Sequence, residues 1–204
     1  MKLPVTLLLA AALLTVAVAV PFGPLLVVDH AVADGLHGYA VNHPAITTAM
    51  QTWTDICQPW TFRAILAATA AWLWWRRRPW QAAWVVTTAT VCSVVETALK
   101  ASLGRVRPHW TDPLSTAAGG SYPSGHALTS AMACAVLLIL AWPTATRTTR
   151  QAFVAAAMAI PLVTGFTRLY LGVHFVSDVV GGWLIAVALV AATVKAFSGV
   201  RARR

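Results

Sequence analysis

Lys100, Arg107, His126, Arg168, His174 and Asp178 are the residues in this chain whose types and placement could do chemistry, and each lies near the end of an apolar segment. Ionisable groups close to membrane depth are costly and tend to be functional. Three fixed cations, with the unpaired amides of a helix starting at Ser124-Gly125, suit a phosphate dianion. Two histidines suit one nucleophile and one proton donor. The type and order of these residues therefore point to transfer of a phosphoryl group.

The elements that must position them follow from composition. The chain has 204 residues, 58% hydrophobic and 10% charged, with a mean hydropathy of +0.69. Soluble domains carry about 25% charged residues. This excludes a disordered chain, a disulfide scaffold and an ordinary water-soluble enzyme, and leaves a membrane protein. Residues 3–28 read as a first span; Ala17-Val18-Ala19 also has the look of a signal-peptidase site, but the apolar run continues past it. Residues 30–55 read as an external loop with room for an interfacial helix. Further spans are expected at 56–75, 80–99, 126–142, 151–167 and 175–194, with a polar loop between Gly104 and Pro123. The expected fold is all-α: a single domain over 1–204, an integral membrane bundle of six transmembrane helices. The site sits at the outer ends of helices 3–6.

Charge sets the orientation. Lys2, Arg76, Arg77, Arg78, Arg147, Arg150, Lys195, Arg201, Arg203 and Arg204 fall on one side, 10 of the 15 Lys and Arg residues, and that side is expected to be cytoplasmic. Trp72, Trp74, Trp75, Trp80 and Trp142 cluster at the same interface. The N-terminus is then cytoplasmic and the site faces outward from the plasma membrane. The net charge of +9 is spent on these anchors, with no basic face carrying stacking aromatics, so nucleic acid is not an expected partner. Cys57, Cys92 and Cys134 have no metal-ligand or paired spacing and read as packing residues or free thiols.

Three motifs then stand in order. Lys100 to Pro108 matches K-x6-R-P, Pro123 to His126 matches P-S-G-H, and Thr167-Arg168 with His174 and Asp178 matches S-R-x5-H-x3-D. Together they resemble the type 2 phosphatidic acid phosphatase (PAP2) superfamily over residues 100–178, and the span pattern extends the likeness over most of the chain. Thr167 stands where that family usually has serine. The resemblance implies a metal-independent phosphatase without a cofactor, acting on a phosphomonoester or diphosphate through a phosphohistidine intermediate. Bacterial members act on polyprenyl diphosphates, phosphatidylglycerol phosphate and phosphatidic acid. The small size resembles the polyprenyl (undecaprenyl) diphosphate phosphatases slightly more, with a phosphatidylglycerol phosphate or phosphatidic acid phosphatase as the alternative. The partners expected are the lipid phosphate and the bilayer, with no obligate protein partner.

The residues themselves support these roles. His174 and Asp178 are four apart and share a helix face. Asp178 can accept a hydrogen bond from Nδ1–H and leave Nε2 as the nucleophile; a purely structural polar pair is the alternative. His126 would protonate the leaving oxygen and later deprotonate water. Lys100, Arg107 and Arg168, with Ser124 and Gly125, would bind the phosphate and neutralise developing charge, although Ser124 could simply cap its helix. Glu96 lies one turn before Lys100 and could position it. Arg105 reads either as a snorkelling cation or as a further phosphate contact. His30, His37 and His43 share no helix face, so no metal site is expected there. A vanadium-dependent haloperoxidase and a non-enzymatic lipid binder or transporter are the other readings. The first is disfavoured because no soluble helical domain is evident. The second is disfavoured because binding alone needs only the cations.

Overall fold

The computed structural model describes residues 2–201, with side chains over 4–199. Of the cations read as cytoplasmic anchors, Arg203 and Arg204 lie outside the described residues. Eight helices follow one another: α1 (Lys2–Ala19), α2 (Gly23–Ala40), α3 (Pro44–Ile56), α4 (Pro59–Trp75), α5 (Pro79–Leu103), α6 (Gly125–Ala141), α7 (Arg147–Tyr170) and α8 (Val176–Arg201). A short 3-10 turn, Trp142–Thr144, follows α6. No strand occurs among the described residues.

Prolines set several starts. Pro24, Pro44, Pro59 and Pro79 occupy the first turns of α2 to α5, where a missing N–H costs nothing. Gly104, at φ 53°, ends α5 in the left-handed conformation that glycine adopts without a Cβ penalty. Thr146 caps α7 by accepting from the Thr149 amide.

Among the described residues, four helices are long and apolar enough to cross a bilayer: α5, α6 with its 3-10 turn, α7 and α8. α1 and α2 make a fifth if counted as one span, but they meet at 84°. This corrects the expectation of an uninterrupted first span over 3–28, because the chain turns at 20–22, around Pro21, and starts a new helix. The external loop expected at 30–55 is also corrected: it is mostly helical, as α2 and α3. Gly35 and Gly38 lie inside α2, and Pro44 starts a helix rather than breaking one. α4 is a 17-residue helix, about 25 Å at 1.5 Å per residue, against a hydrocarbon core of about 30 Å.

α6 is the central helix, packed by α8, α7, α4 and α5. Its first three turns are buried almost throughout, from Gly125 and Ala127 to Cys134 and Val136. They are rich in Ala, Ser and Thr, residues small enough for close helix approach within a membrane. Leu9, Leu13, Val94 and Met158, by contrast, are exposed on the outside of the bundle, as a lipid-facing surface requires. α1 lies against α8 and is joined to the loop before α6 by Thr15 Oγ1 and Tyr122 Oη at 2.8 Å. α2 and α3 pack on α7, and α2 also on α8. They deliver buried polar side chains to one end of the bundle.

Candidate active site

The C-terminal ends of α5 and α7 and the N-terminal ends of α6 and α8 meet at one end of the bundle. The loop between α5 and α6 closes over them. Arg107 organises this loop by donating to the carbonyls of Ala118 (3.0 Å), Gly119 (3.1 Å) and Gly120 (3.2 Å). The Ser121 amide donates to the Arg105 carbonyl at 2.8 Å. A hollow of about 590 Å³ lies under the loop, lined by Arg105, Arg107, Trp110, Gly172 and Val173. It reaches Val173, next to His174 in the chain, but neither His174 nor His126 lines it.

His174 sits in the turn between α7 and α8 and is buried. Its Nδ1 lies 3.4 Å from Asp178 Oδ2. Arg107 Nη1 donates to its Nε2 at 2.9 Å and to the Val173 carbonyl at 2.8 Å. A guanidinium can only donate, so Nε2 presents its lone pair and the ring proton belongs on Nδ1, facing Asp178. Burial pulls the His174 pKa down to about 4, opposed by its hydrogen bond to and the charge of Asp178. The ring is therefore neutral, and nucleophilic at Nε2, near neutral pH.

Asp178 is itself fixed on every side. Its Oδ2 accepts from the Phe175 amide (2.8 Å) and the Ser121 hydroxyl. Its Oδ1 accepts from Arg105 Nη1 at 2.6 Å, and its backbone carbonyl accepts from the Ser124 amide at 3.0 Å. The last bond ties the start of α6 to the start of α8.

The phosphate-binding candidates converge on the same place. His126 lies in electrostatic range of Arg168, His174, Lys100 and Arg107. Ser124 precedes α6, but its side chain makes no capping bond, and its Oγ is buried without a hydrogen-bond partner. Arg168 Nη1 donates to Thr54 Oγ1 of α3 at 2.8 Å, while its Nε is buried and unpartnered. Unsatisfied buried donors of this kind call for a functional explanation, and an anionic ligand supplies one. Glycine at 125 lets the Glu96–Lys100 pair lie against the start of α6: a Cβ there would displace Glu96 Oε1 and stand 3.2 Å from Lys100 Nζ. Lys100 donates to Glu96 Oε1 at 2.8 Å, so the positioning suggested by the i,i+4 spacing is present. The Thr167 hydroxyl donates to the Thr164 carbonyl at 2.7 Å; it is engaged with its own helix.

Arg105 is neither snorkelling nor waiting for phosphate. It bridges two buried carboxylates, donating from Nη2 to Asp29 Oδ2 at 2.7 Å and from Nη1 to Asp178, with its guanidinium over the Phe175 ring. Asp29 in turn accepts from the amide (2.9 Å) and hydroxyl (2.5 Å) of Ser177. Asp29, Ser121, Ser177 and Thr54 are absent from the sequence-derived site. The one available signal was a lone aspartate directly after an apolar run, an expensive placement unless it is paired. Arg105→Ala should leave Asp29 and Asp178 short of their shared cation and cost about 3–5 kcal/mol, read as a lower thermal unfolding midpoint in detergent. Arg105→Lys should recover only part of this, because an ammonium cannot span two carboxylates as a planar fork does.

His30, His37 and His43 are engaged separately, by Phe175, Trp110 and Tyr39. Cys57, Cys92 and Cys134 are free thiols.

Four apolar helices bring two histidines and several cations together at one end of the bundle, an arrangement suited to phosphoryl transfer. Residues 81–201 match the PAP2 superfamily, and the chain belongs to it; it is a multi-pass membrane phosphatase of that superfamily. It is 26% identical to phosphatidylglycerophosphatase B of Bacillus subtilis over 152 residues, 73% of this chain and 74% of the relative. It is 35% identical to the lipid A 1-phosphatase of Rhizobium etli over 118 residues, 51% of this chain and 47% of that protein. The crystal structure of a PAP2-type phosphatidylglycerolphosphate phosphatase from Bacillus subtilis superposes with a TM-score of 0.83 at 24% identity, covering 98% of this chain and 97% of that one. Aquifex aeolicus LpxE matches with a TM-score of 0.59 at 20% identity, over 75% of this chain and 87% of that one.

Proposed function

We propose that the protein removes a phosphate from a membrane lipid without a metal ion, through a phosphohistidine on His174. The observation that carries this is the polarity of the His174 ring, with Nδ1 toward Asp178 and the Nε2 lone pair toward the cations. His174 Nε2 attacks phosphorus, an N–P bond forms, and the bond from phosphorus to the lipid oxygen breaks. His126 gives that oxygen its proton. Water then attacks phosphorus, His126 takes the water proton, and the N–P bond breaks to release phosphate. Lys100, Arg107 and Arg168, the Ser124 hydroxyl and the amides that open with Gly125 neutralise the transferring group. Arg107 now rests on Nε2, and a bound phosphate would draw it onto an equatorial oxygen and free the nucleophile.

In this reading the chain crosses the membrane six times, as α1 and α4 to α8, with α2 and α3 at the outer face. Two contacts support the placement: Asp29 of α2 reaches Ser177, and Thr54 of α3 reaches Arg168, both at the site end. The N-terminus is cytoplasmic, and the site meets the head groups of the outer leaflet of the plasma membrane. The substrate is a polyprenyl diphosphate such as undecaprenyl diphosphate, whose tail would lie in the bilayer with its phosphates at head-group depth. A second reading, phosphatidylglycerol phosphate, is favoured by the match over 152 residues to phosphatidylglycerophosphatase B.

Phosphate release by the purified protein from undecaprenyl diphosphate, phosphatidylglycerol phosphate and phosphatidic acid, with EDTA present, tests both. Release should persist in EDTA and be inhibited by vanadate, which mimics five-coordinate phosphorus. Activity lost on chelation and restored by magnesium would overturn the metal-free mechanism. Arg168→Lys should lower kcat/KM by about 10²-fold or more, since one point charge cannot replace two directed donors; near-normal turnover would remove Arg168 from the phosphate seat.

A further inference from the structure

We propose that Arg63 is the seat of a second anionic group on the substrate. The lipid would then carry another phosphate beside the scissile one, either as a diphosphate or as a phosphomonoester linked to a phosphodiester. This rests on the phosphatase reading above. Arg63 lies about one turn inside α4, just beyond Trp60, which is 64% exposed and marks the head-group level as interfacial tryptophans do. An arginine at that depth could snorkel to water without a partner. Instead its Nη2 donates to Glu96 Oε2 at 3.1 Å, while Glu96 Oε1 accepts from Lys100 Nζ at 2.8 Å. Glu96 is buried at 6% exposure, whereas the Arg63 side chain is 46% exposed.

One carboxylate thus stands between two cations, and the trio carries a net positive charge. Glu96 and Lys100 pack directly beneath Gly125, at the start of α6 where the scissile phosphate would lie. Arg63 lies across that carboxylate from Lys100, on the α4 side, with Nη2 on Glu96 Oε2 and the side chain half-exposed. A single phosphate seated on Lys100, Arg107 and Arg168 has no need of it. A second phosphate on the same head group would find the trio's uncompensated charge beside the first.

The test compares phosphatidylglycerol phosphate with phosphatidic acid of the same acyl chains, which present two phosphates and one. In Arg63→Gln the ratio of kcat/KM for the first lipid to that for the second should fall about two- to fivefold, the size expected of a half-exposed ion pair. The change should appear mainly in KM, and Arg63→Lys should retain the greater part of the ratio. An unchanged ratio would overturn the proposal and leave Arg63 as a strap on Glu96. A second measurement needs no variant: pyrophosphate should inhibit the unaltered protein more tightly than orthophosphate, and equal inhibition would also overturn it. Absence of phosphate release from either lipid by the unaltered protein would instead defeat the phosphatase reading itself.

Discussion

His174→Ala is expected to abolish turnover, by at least the 10²–10⁴-fold attributed to one positioned catalytic group, and to remove any phosphoenzyme trapped on rapid acid quenching. The size follows from the role. Without Nε2 there is no atom to carry the phosphoryl group, and the cations can only bind what they cannot transfer. The fold should survive the change. Asp178 keeps the Phe175 amide, the Ser121 hydroxyl and Arg105, and Arg107 keeps its carbonyl partners in the loop. An unfolding midpoint close to that of the unaltered protein, with phosphate release at background, is the expected pair of results. Substantial turnover with a labelled phosphoenzyme would place the nucleophile elsewhere.

The same ring sets the pH dependence. Burial lowers its pKa to about 4 from the ordinary 6.5, so the neutral, attacking form persists as pH falls through the range where an exposed histidine would charge. The His174 contribution to the acid limb of kcat/KM should therefore lie nearer pH 4 than pH 6.5. Asp178→Asn should weaken this arrangement, because an amide in that position no longer favours the Nδ1–H tautomer.

The central elements were legible because their signals are local. α5 to α8 are long, nearly uncharged apolar runs, and their polar ends carry motifs with fixed spacing, so Lys100, His126, Arg168 and Asp178 could be placed at helix ends from sequence. The N-terminal third was less legible. Gly35, Gly38 and Pro44 suggest a loop by local propensity. Packing on α7 and α8, and the burial of Asp29 and Thr54, hold that stretch helical instead. The role of Arg105 was hidden for the same reason: its partner Asp29 lies 76 residues away, and no periodicity connects them. Ser121 resembles any loop serine until the chain folds its hydroxyl against Asp178.

His126→Ala should separate substrates by their leaving groups. The proton that His126 supplies matters in proportion to the basicity of the departing oxygen. A lipid alkoxide leaves badly without it, and an activated aryl phosphate leaves almost unaided. The variant should lose about 10²–10⁴-fold on a lipid phosphomonoester and much less on p-nitrophenyl phosphate, where formation of the phosphohistidine should remain fast. The second half of the cycle then becomes diagnostic. Water must still be deprotonated to break the N–P bond, so with the activated substrate the variant should show a burst of p-nitrophenol and accumulate phosphoenzyme. Placement favours this assignment: His126 is the second residue of α6, two positions from Ser124, whose buried hydroxyl has no hydrogen-bond partner. Equal slowing of good and poor leaving groups, with no burst, would mean that His126 only helps to bind phosphate, and the proton would have to come from elsewhere.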